Sequence, residues 1–298
     1  VAVVTTGFFD GVHLGHRHVL ETVVSSARER GEEAVVITFW PHPRAVLQQD
    51  ARDFRLLTSL EEKKALLMAA GIDRVEVIPF TRKFASIKAN DYLNILKQRY
   101  DASLIVMGYD NRLGSDRKTA EEICDTHTSL PPVAILKPVI PGVTDCHSER
   151  SEESPISSTR IRKALEAGEI EKANAMLGYE YGLHGVVVAG NRLGRTIGFP
   201  TANMQLYEPL KLVPLNGVYA VEVEVTGSVF RGMCNIGTRP TVGGTARTIE
   251  THILDFDEDI YGLPLKVRFL RRIREERKFP SLEALRAQLV QDALICKK

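Results

Sequence analysis

Five apolar runs punctuate the first 140 residues: VAVVTT (1–6), AVVITF (34–39), RVEVIPF (74–80), SLIVMG (103–108) and PVAILK (132–137). Each has strand length and is mainly apolar, so each reads as a buried strand. Helical patterns fill the intervals near 16–30, 59–70, 89–100 and 117–127. The third is expected to be capped by Asn90, ahead of Tyr92, Leu93, Ile95 and Leu96 at helical spacing. This alternation predicts an α/β, doubly wound parallel sheet of Rossmann-like type. Ligands of such sheets lie beyond the carboxyl ends of the strands.

The pattern changes along the chain. Residues 141–155, PGVTDCHSERSEESP, are polar and aperiodic and predict a mobile loop. SSTRIRKALEAGEIEKANAMLG then gives two short helices ending at Gly178. From residue 184 the strand-like runs 184–190, 217–225, 229–237, 247–256 and 263–273 follow one another with turns between them and no helix. Alternation at Tyr219, Val221, Val223 and Val225 marks a strand with one face in a core. Such a series argues for an antiparallel barrel or sandwich. We expect a β-barrel finished by a helix over 281–294, capped by Ser281 with Leu282, Leu285 and Leu289 on its buried stripe. The expected domains are 1–180 and 181–298.

Totals bound the partners. The 298 residues carry 39 basic and 38 acidic side chains, a formal net of +1, so no global charge points to nucleic acid or an anionic membrane. The four cysteines (Cys124, Cys146, Cys234, Cys296) are scattered without CxxC spacing, which fits a reducing cytoplasm better than a disulfide framework or a zinc ribbon. No apolar run approaches the ~20 residues that span a bilayer. VAVVTT reads as an internal strand rather than a signal peptide, and without an initiating Met residues are expected upstream. Association into a homo-oligomer is left open.

GFFDGVHLGH (7–16) falls between the first strand and the first helix. His13 and His16, three apart, share a face and allow three readings. As zinc ligands they need further partners, and no HxxE or CxxC follows. They can be histidines satisfied within the fold. Or they can serve a phosphate site, in which Gly7, Gly11 and Gly15 let backbone N–H groups approach an anion at a helix N-terminus and the imidazoles donate to its oxygens. The spacing is neither GxGxxG nor GxxxxGKS. ISSTRIRKAL (156–165) adds two serines and a threonine before a helix bearing Arg160 and Arg162, which is an N-cap or, with the guanidinium, a triphosphate site.

In the second half, Thr201 and Asn203 of PTAN share one face if extended, and their oxygens suit a hard cation; a plain turn after Pro200 is the alternative. Gly190, Gly194 and Gly198 leave a flap around Arg192 and Arg195, or merely punctuate a loop. Glu250 opens the strand ETHILDF, where a charge is ordinarily just solvated.

Together HLGH and ISSTRIR resemble the nucleotidylyltransferase superfamily. GFFDGVHLGH, TFWPHPR, MGYDNRLGSDR and ISSTRIR stand in the order seen in prokaryotic bifunctional FAD synthetases. GNRLGRTIGFPTANM, NGVYAV, NIGTRPTVGG, IETHILDFDEDIYG and IREERKFPSLEALRAQLVQD resemble the riboflavin kinase module of the same family, so the similarity covers essentially the whole chain. The resemblance implies two reactions: phosphorylation of riboflavin by ATP to FMN in the second half, and adenylyl transfer from ATP to FMN, giving FAD and pyrophosphate, in the first. It implies Glu250 as general base of the kinase, and His13, His16 and Arg160 as stabilisers of phosphate charge. It implies ATP-binding roles for Gly7, Phe8, Asp10, Gly11, Gly15, Ser157, Ser158, Thr159 and Arg162, and in the kinase for Gly190, Arg195 and Gly198. Flavin contacts are implied for Pro41, His42, Asp110, Arg112 and Arg274, and Mg2+ at Thr201 and Asn203. Two departures stand out: Leu113 where the family commonly has an aromatic, and the inserted DCHSERSEES. Two alternatives are a riboflavin kinase with an inactive first domain and a non-catalytic flavin-binding regulator.

Overall fold

The computed structural model describes residues 1–47, 54–108, 111–124, 132–137, 155–190, 193–241 and 244–297. Asp110, Arg192 and the inserted segment up to residue 154 lie outside the described residues. Contacts divide the chain into two compact units, Val1–Ser158 and Thr159–Lys298.

The first unit runs β1 (Ala2–Thr6), α1 (Leu14–Arg30), β2 (Glu33–Trp40), α2 (Pro43–Leu47), α3 (Leu60–Ala69) and β3 (Arg74–Pro79). It continues with α4 (Arg82–Ala85), α5 (Ala89–Tyr100), β4 (Ala102–Gly108), a small hairpin of β5 (Arg112–Leu113) and β6 (Lys118–Thr119), α6 (Ala120–Cys124) and β7 (Val133–Leu136). The five apolar runs form one parallel sheet in the order β3-β2-β1-β4-β7. Because β1 is central, the chain winds first to one side and then to the other, and the crevice at the carboxyl ends of β1 and β4 is the switch point. Apolar side chains fill both faces of the sheet: Val4, Ile37, Leu93, Leu96 and Ile105 on one, Val3, Leu20, Val23, Val36 and Leu67 on the other.

α5 begins one residue before the expected cap. Its N-cap is Lys88, whose side chain makes no capping bond. The Ala89 N–H is satisfied by Asp116 Oδ1 at 2.9 Å, from the hairpin 27 residues downstream. Leu113 is buried in the core against this helix. The position that is aromatic in the family here fills the core with a leucine.

The second unit starts within α7 (Ser158–Glu166) and continues with α8 (Ile170–Leu177), β8 (Gly182–Val188), α9 (Leu193–Thr196), β9 (Ala202–Leu206) and β10 (Gly217–Val225). It ends with β11 (Ser228–Thr241), β12 (Gly244–Ile253), β13 (Pro264–Arg274) and α10 (Leu282–Cys296). The six strands close a barrel in the order β10-β11-β12-β9-β8-β13. β9 is a strand that hydropathy does not show: ANMQL mixes polar with apolar residues in no continuous run, and a Gly-Phe-Pro turn precedes it. It enters the barrel by pairing Asn203 with Glu250 and Val188. α8 is tied to the barrel through Asn174, whose amide donates to the Phe269 carbonyl and accepts from the Tyr181 N–H, both at 2.8 Å.

α10 is capped as expected, Ser281 Oγ accepting from the Ala284 N–H at 3.1 Å. Its inner face differs from the expected stripe. The buried residues are Asp292 and Cys296, Leu289 is partly buried against the barrel core, and Leu282 is 48% exposed. Leu282, Leu285 and Leu289 line a cavity rather than plug a core. The amphipathic spacing is real, but what it faces is an open cavity beside the barrel.

Candidate functional sites

In the first unit the residues of GFFDGVHLGH form the turn from β1 into α1. Gly11 has φ +85°, and two neighbours without glycine's freedom, Phe9 (φ +48°) and Val12 (φ +37°), are also held in the left-handed region. For a β-branched residue this is a costly conformation that the surroundings must impose. Here they do so through Asp10. Its carboxylate accepts from the Leu57 and Thr58 N–H groups and the Thr58 hydroxyl at 3.1–3.2 Å. Thr58 Oγ1 accepts in turn from the Gly11 N–H at 3.1 Å. Ser158, at the start of α7, donates to the Asp10 carbonyl at 2.9 Å. Across the switch point, Asn111 Nδ2 donates to the Thr6 carbonyl at 3.3 Å, which brings Asn111 to the same place.

His13 caps α1, its Nδ1 accepting from the His16 N–H at 3.3 Å. The two imidazoles stack with centroids 3.7 Å apart and planes 17° apart, and Phe9 packs edge-on against His16. His13 Nδ1 is taken up by the cap and the two rings face each other in a stack, which opposes the zinc reading. Gly15 leaves room for this stack: a Cβ there would come within 3.2 Å of the His13 ring. His16 Nδ1 is sealed from solvent with no hydrogen-bond partner. Burial first, and then the charges of His13 and Lys63, hold the His16 imidazole well below the usual histidine range. It is therefore neutral at pH 7, a donor through a single N–H.

Beside the turn lies an aromatic wall. Phe8 packs at 5.0–5.8 Å from Phe39, His42 and Phe80, and His42 lies 4.4 Å from Phe54. Pro41 and His42 follow β2 directly, and Arg112 is exposed on β5. Ser157 and Ser158 end the first unit, while Thr159, Arg160 and Arg162 open the second on α7, the two arginines half-buried. Sequence reasoning passed over Lys63, which lies inside α3 and is almost fully buried. The signal was present: Lys63 falls three residues after Leu60 and four before Leu67, on the helix's apolar stripe.

In the second unit Glu250 sits on β12, flanked by Asn235 on β11 and Asn203 on β9. Thr201 Oγ1 donates to Glu250 Oε2 at 3.3 Å. A Cβ at Gly190 would fall 2.1 Å from Asn203 Nδ2, so the amide of Asn203 is seated against a residue that must be glycine. Two cavities meet at Thr201. One, of about 680 Å³, is lined by Glu250 and by the apolar Phe199, Val218, Met233, Leu285 and Leu289. The other, of about 430 Å³, is lined by Arg195, Pro200, Asp257, Ile260 and Tyr261. Gly198, with φ +81°, turns the chain between α9 and Pro200. His252, on β12 two residues beyond Glu250, donates through Nδ1–H to the Pro200 carbonyl at 2.7 Å and fixes that turn. Arg274 is occupied. It forms a two-pronged pair with the fully buried Asp292 of α10 at 2.8–2.9 Å, and Gln288 donates to the other carboxylate oxygen.

A Rossmann-like unit with a glycine-rich turn at its switch point, followed by a closed barrel with a carboxylate in the larger of two adjoining cavities, has the form of a two-module transferase. Comparison with known proteins gives the particular family. The family model described as FAD synthetase matches residues 1–149, and the one described as riboflavin kinase matches 177–298. The bifunctional riboflavin kinase/FMN adenylyltransferase of Bacillus subtilis (strain 168) is 37% identical over 98% of this chain and 90% of its own length. That of Escherichia coli (strain K12) is 36% identical over 99% of this chain and 92% of its own. A crystal structure from Streptococcus pneumoniae, described as a macrolide-efflux protein, superposes with a TM-score of 0.90 at 34% identity, covering 100% of this chain and 94% of its own. Among the described residues no helix is long and apolar enough to cross a membrane. The chain belongs to the bifunctional riboflavin kinase/FMN adenylyltransferase family. It is an enzyme that makes FMN from riboflavin and ATP, and FAD from FMN and ATP.

Proposed function

We propose that the two reactions are divided as the two sites divide, with functional modules at 1–180 and 181–298 working in the cytoplasm. Glu250 is the general base of the kinase. The observation that carries this is the position of Thr201, which bonds Glu250 and forms part of both cavity walls. The larger, apolar cavity suits the flavin ring, and the smaller one, with Arg195 and Tyr261, suits the nucleotide. Glu250 then stands where the riboflavin 5′-hydroxyl meets the terminal phosphate. It takes the hydroxyl proton as the oxygen attacks phosphorus and ADP departs, help typically worth ~10²–10⁴ in rate. The hydroxyl of Thr201 and the amide oxygen of Asn203, beside a carboxylate, form a hard-oxygen donor set that fits Mg2+ shared with phosphates. Bound there, the ion would neutralise charge on the transferring phosphoryl group. Arg274, held by Asp292 of α10, lines the larger cavity and contacts the flavin there.

In the first module no covalent intermediate is needed. An FMN phosphate oxygen attacks the α-phosphorus of ATP, and pyrophosphate leaves. Gly7, Gly11 and Gly15 shape the anion turn. His13 and His16, with Ser157, Ser158, Thr159, Arg160 and Arg162 of the second motif, bind and stabilise the phosphates. Asp10 holds the turn's shape, and Phe8, Pro41 and His42 offer the flavin an aromatic wall. The test is product analysis after incubation with riboflavin, ATP and Mg2+, using wild type and the variants Glu250→Gln and His16→Ala. The proposal expects FAD from wild type, unchanged riboflavin from the first variant and FMN alone from the second. FAD from either variant at the wild-type rate would remove that residue from its assigned role.

A further inference from the structure

Lys63 is used by neither reaction as derived above, yet its placement in the first unit is costly. The residue is 3% exposed. Its ammonium has two uncharged acceptors, the Phe8 carbonyl at 3.0 Å and Thr38 Oγ1 at 3.2 Å, and lies 5.8 Å from the Trp40 ring centroid. Among the described residues no carboxylate forms a salt bridge with it. A buried ammonium with no carboxylate in direct contact, only the nearby charge of Asp10, is expensive, and a methionine would fill the same space without that cost.

What the charge gains is a grip on the phosphate turn. α3 holds that turn at two points: Thr58, just before the helix, bonds Asp10 and Gly11, and Lys63, one turn inside it, bonds Phe8. Thr38 Oγ1 adds a second donor to the same Phe8 carbonyl at 3.3 Å. In a trans peptide a pinned carbonyl fixes the next N–H on the opposite side, and the next residue is Phe9, which is held at positive φ. The charged and titratable groups that face Lys63 are Asp10 from the turn and His16 from α1, with His13 stacked on the latter; β2 brings Thr38 and Trp40.

We propose that Lys63 is a positioning residue for adenylyl transfer: a buried ammonium clamped to the Phe8 carbonyl, it sets the β1–α1 turn and adds positive potential where charge develops on the triphosphate. This rests on the reading of HLGH as the adenylyl-transfer site. Burial lowers the Lys63 ammonium to about 8 against the opposing pull of Asp10, and the same charge helps keep His16 neutral. The clamp is therefore charged at pH 7 and loses its proton as pH rises through about 8.

The full-length protein and its variants Lys63→Met, Lys63→Arg and His16→Ala are assayed for FAD formation from supplied FMN across pH ~6.5 to ~9.5. Riboflavin phosphorylation by the same preparations reports on the intact second half. Wild-type adenylylation should decline above pH ~8 while the kinase does not. Lys63→Met should lower kcat for FAD formation by about tenfold or more and abolish that decline. Lys63→Arg, charged throughout, should keep most of the rate and also lack the decline. A wild-type profile that is flat through pH 8 overturns the proposal, even if the Met variant fails to fold. So does a folded Met variant with wild-type kcat, or Met and Arg variants equally slow with the wild-type pH dependence retained, since packing alone would then account for Lys63. If His16→Ala leaves FAD formation intact, the reading of the site falls and Lys63 falls with it. If His16→Ala stops FAD formation while Lys63→Met does not, only Lys63 is wrong.

Discussion

At residue scale the two sites make opposite demands on protonation. The kinase needs a base: Glu250→Gln keeps the shape and removes the proton acceptor, so riboflavin phosphorylation should fall by ~10²-fold or more. FAD formation from FMN should persist in that variant, because the FMN phosphate is already ionised. The first site needs neutral donors, and His16 supplies one at a price in acid. Its folded-state proton affinity is held well below that of the unfolded chain, so the stability linked to it is present above pH ~6.5. That stability should be lost as pH falls below ~6.5, where the unfolded chain takes up the proton first. Thermal melts of wild type and His16→Gln between pH ~7.5 and ~5 check this: the variant should lose less of its first-unit melting temperature on acidification. Gly190→Ala tests the other site. The new Cβ must displace the Asn203 amide, and phosphorylation should drop by at least ~10-fold while FAD formation from FMN is spared.

The element that decides most for the kinase is α10. Its outer half forms one side of the larger cavity, and its inner half is fastened by Asp292 to Arg274. Asp292→Ala would leave a guanidinium with 16% side-chain exposure unpaired, a change typically worth about 3–5 kcal/mol. The barrel's denaturation midpoint should fall accordingly, and the Michaelis constant for riboflavin should rise more than that for ATP. Leu285→Ala should act differently, costing less than the ~2–5 kcal/mol of a buried core leucine because Leu285 faces a cavity. The spacing of Leu282, Leu285 and Leu289 revealed the helix, but periodicity reports a face and not what lies opposite it. The cap at Asn90 failed for a related reason. Capping was read locally, whereas the acceptor for the Ala89 N–H is Asp116, delivered by a hairpin too short to leave a pattern. β9 was hidden because its membership rests on backbone pairing of Asn203 and Ala202 with β12 rather than on apolar side chains.

Across the whole molecule the two grammars in the sequence became two architectures. Continuous apolar runs became the parallel sheet, since both its faces are covered, and alternating ones became the barrel. The chemistry-bearing residues were legible as motifs because each lies on a short contiguous stretch, while Thr58 and Asp292 act from other elements and carry no local signature, and Lys63 shows only as a charge on an apolar stripe. Separate sites imply separable losses: mixing equal amounts of Glu250→Gln and His16→Ala should restore FAD synthesis from riboflavin, through FMN released into solution. Within the kinase, by contrast, independence ends at Thr201, which belongs to both cavity walls. Thermodynamic reciprocity then applies: any substitution at 201 that makes ATP alter riboflavin affinity must make riboflavin alter ATP affinity by the same factor. In an evolving lineage this position is a hinge of epistasis, where specificity for one substrate cannot be redrawn without renegotiating the other.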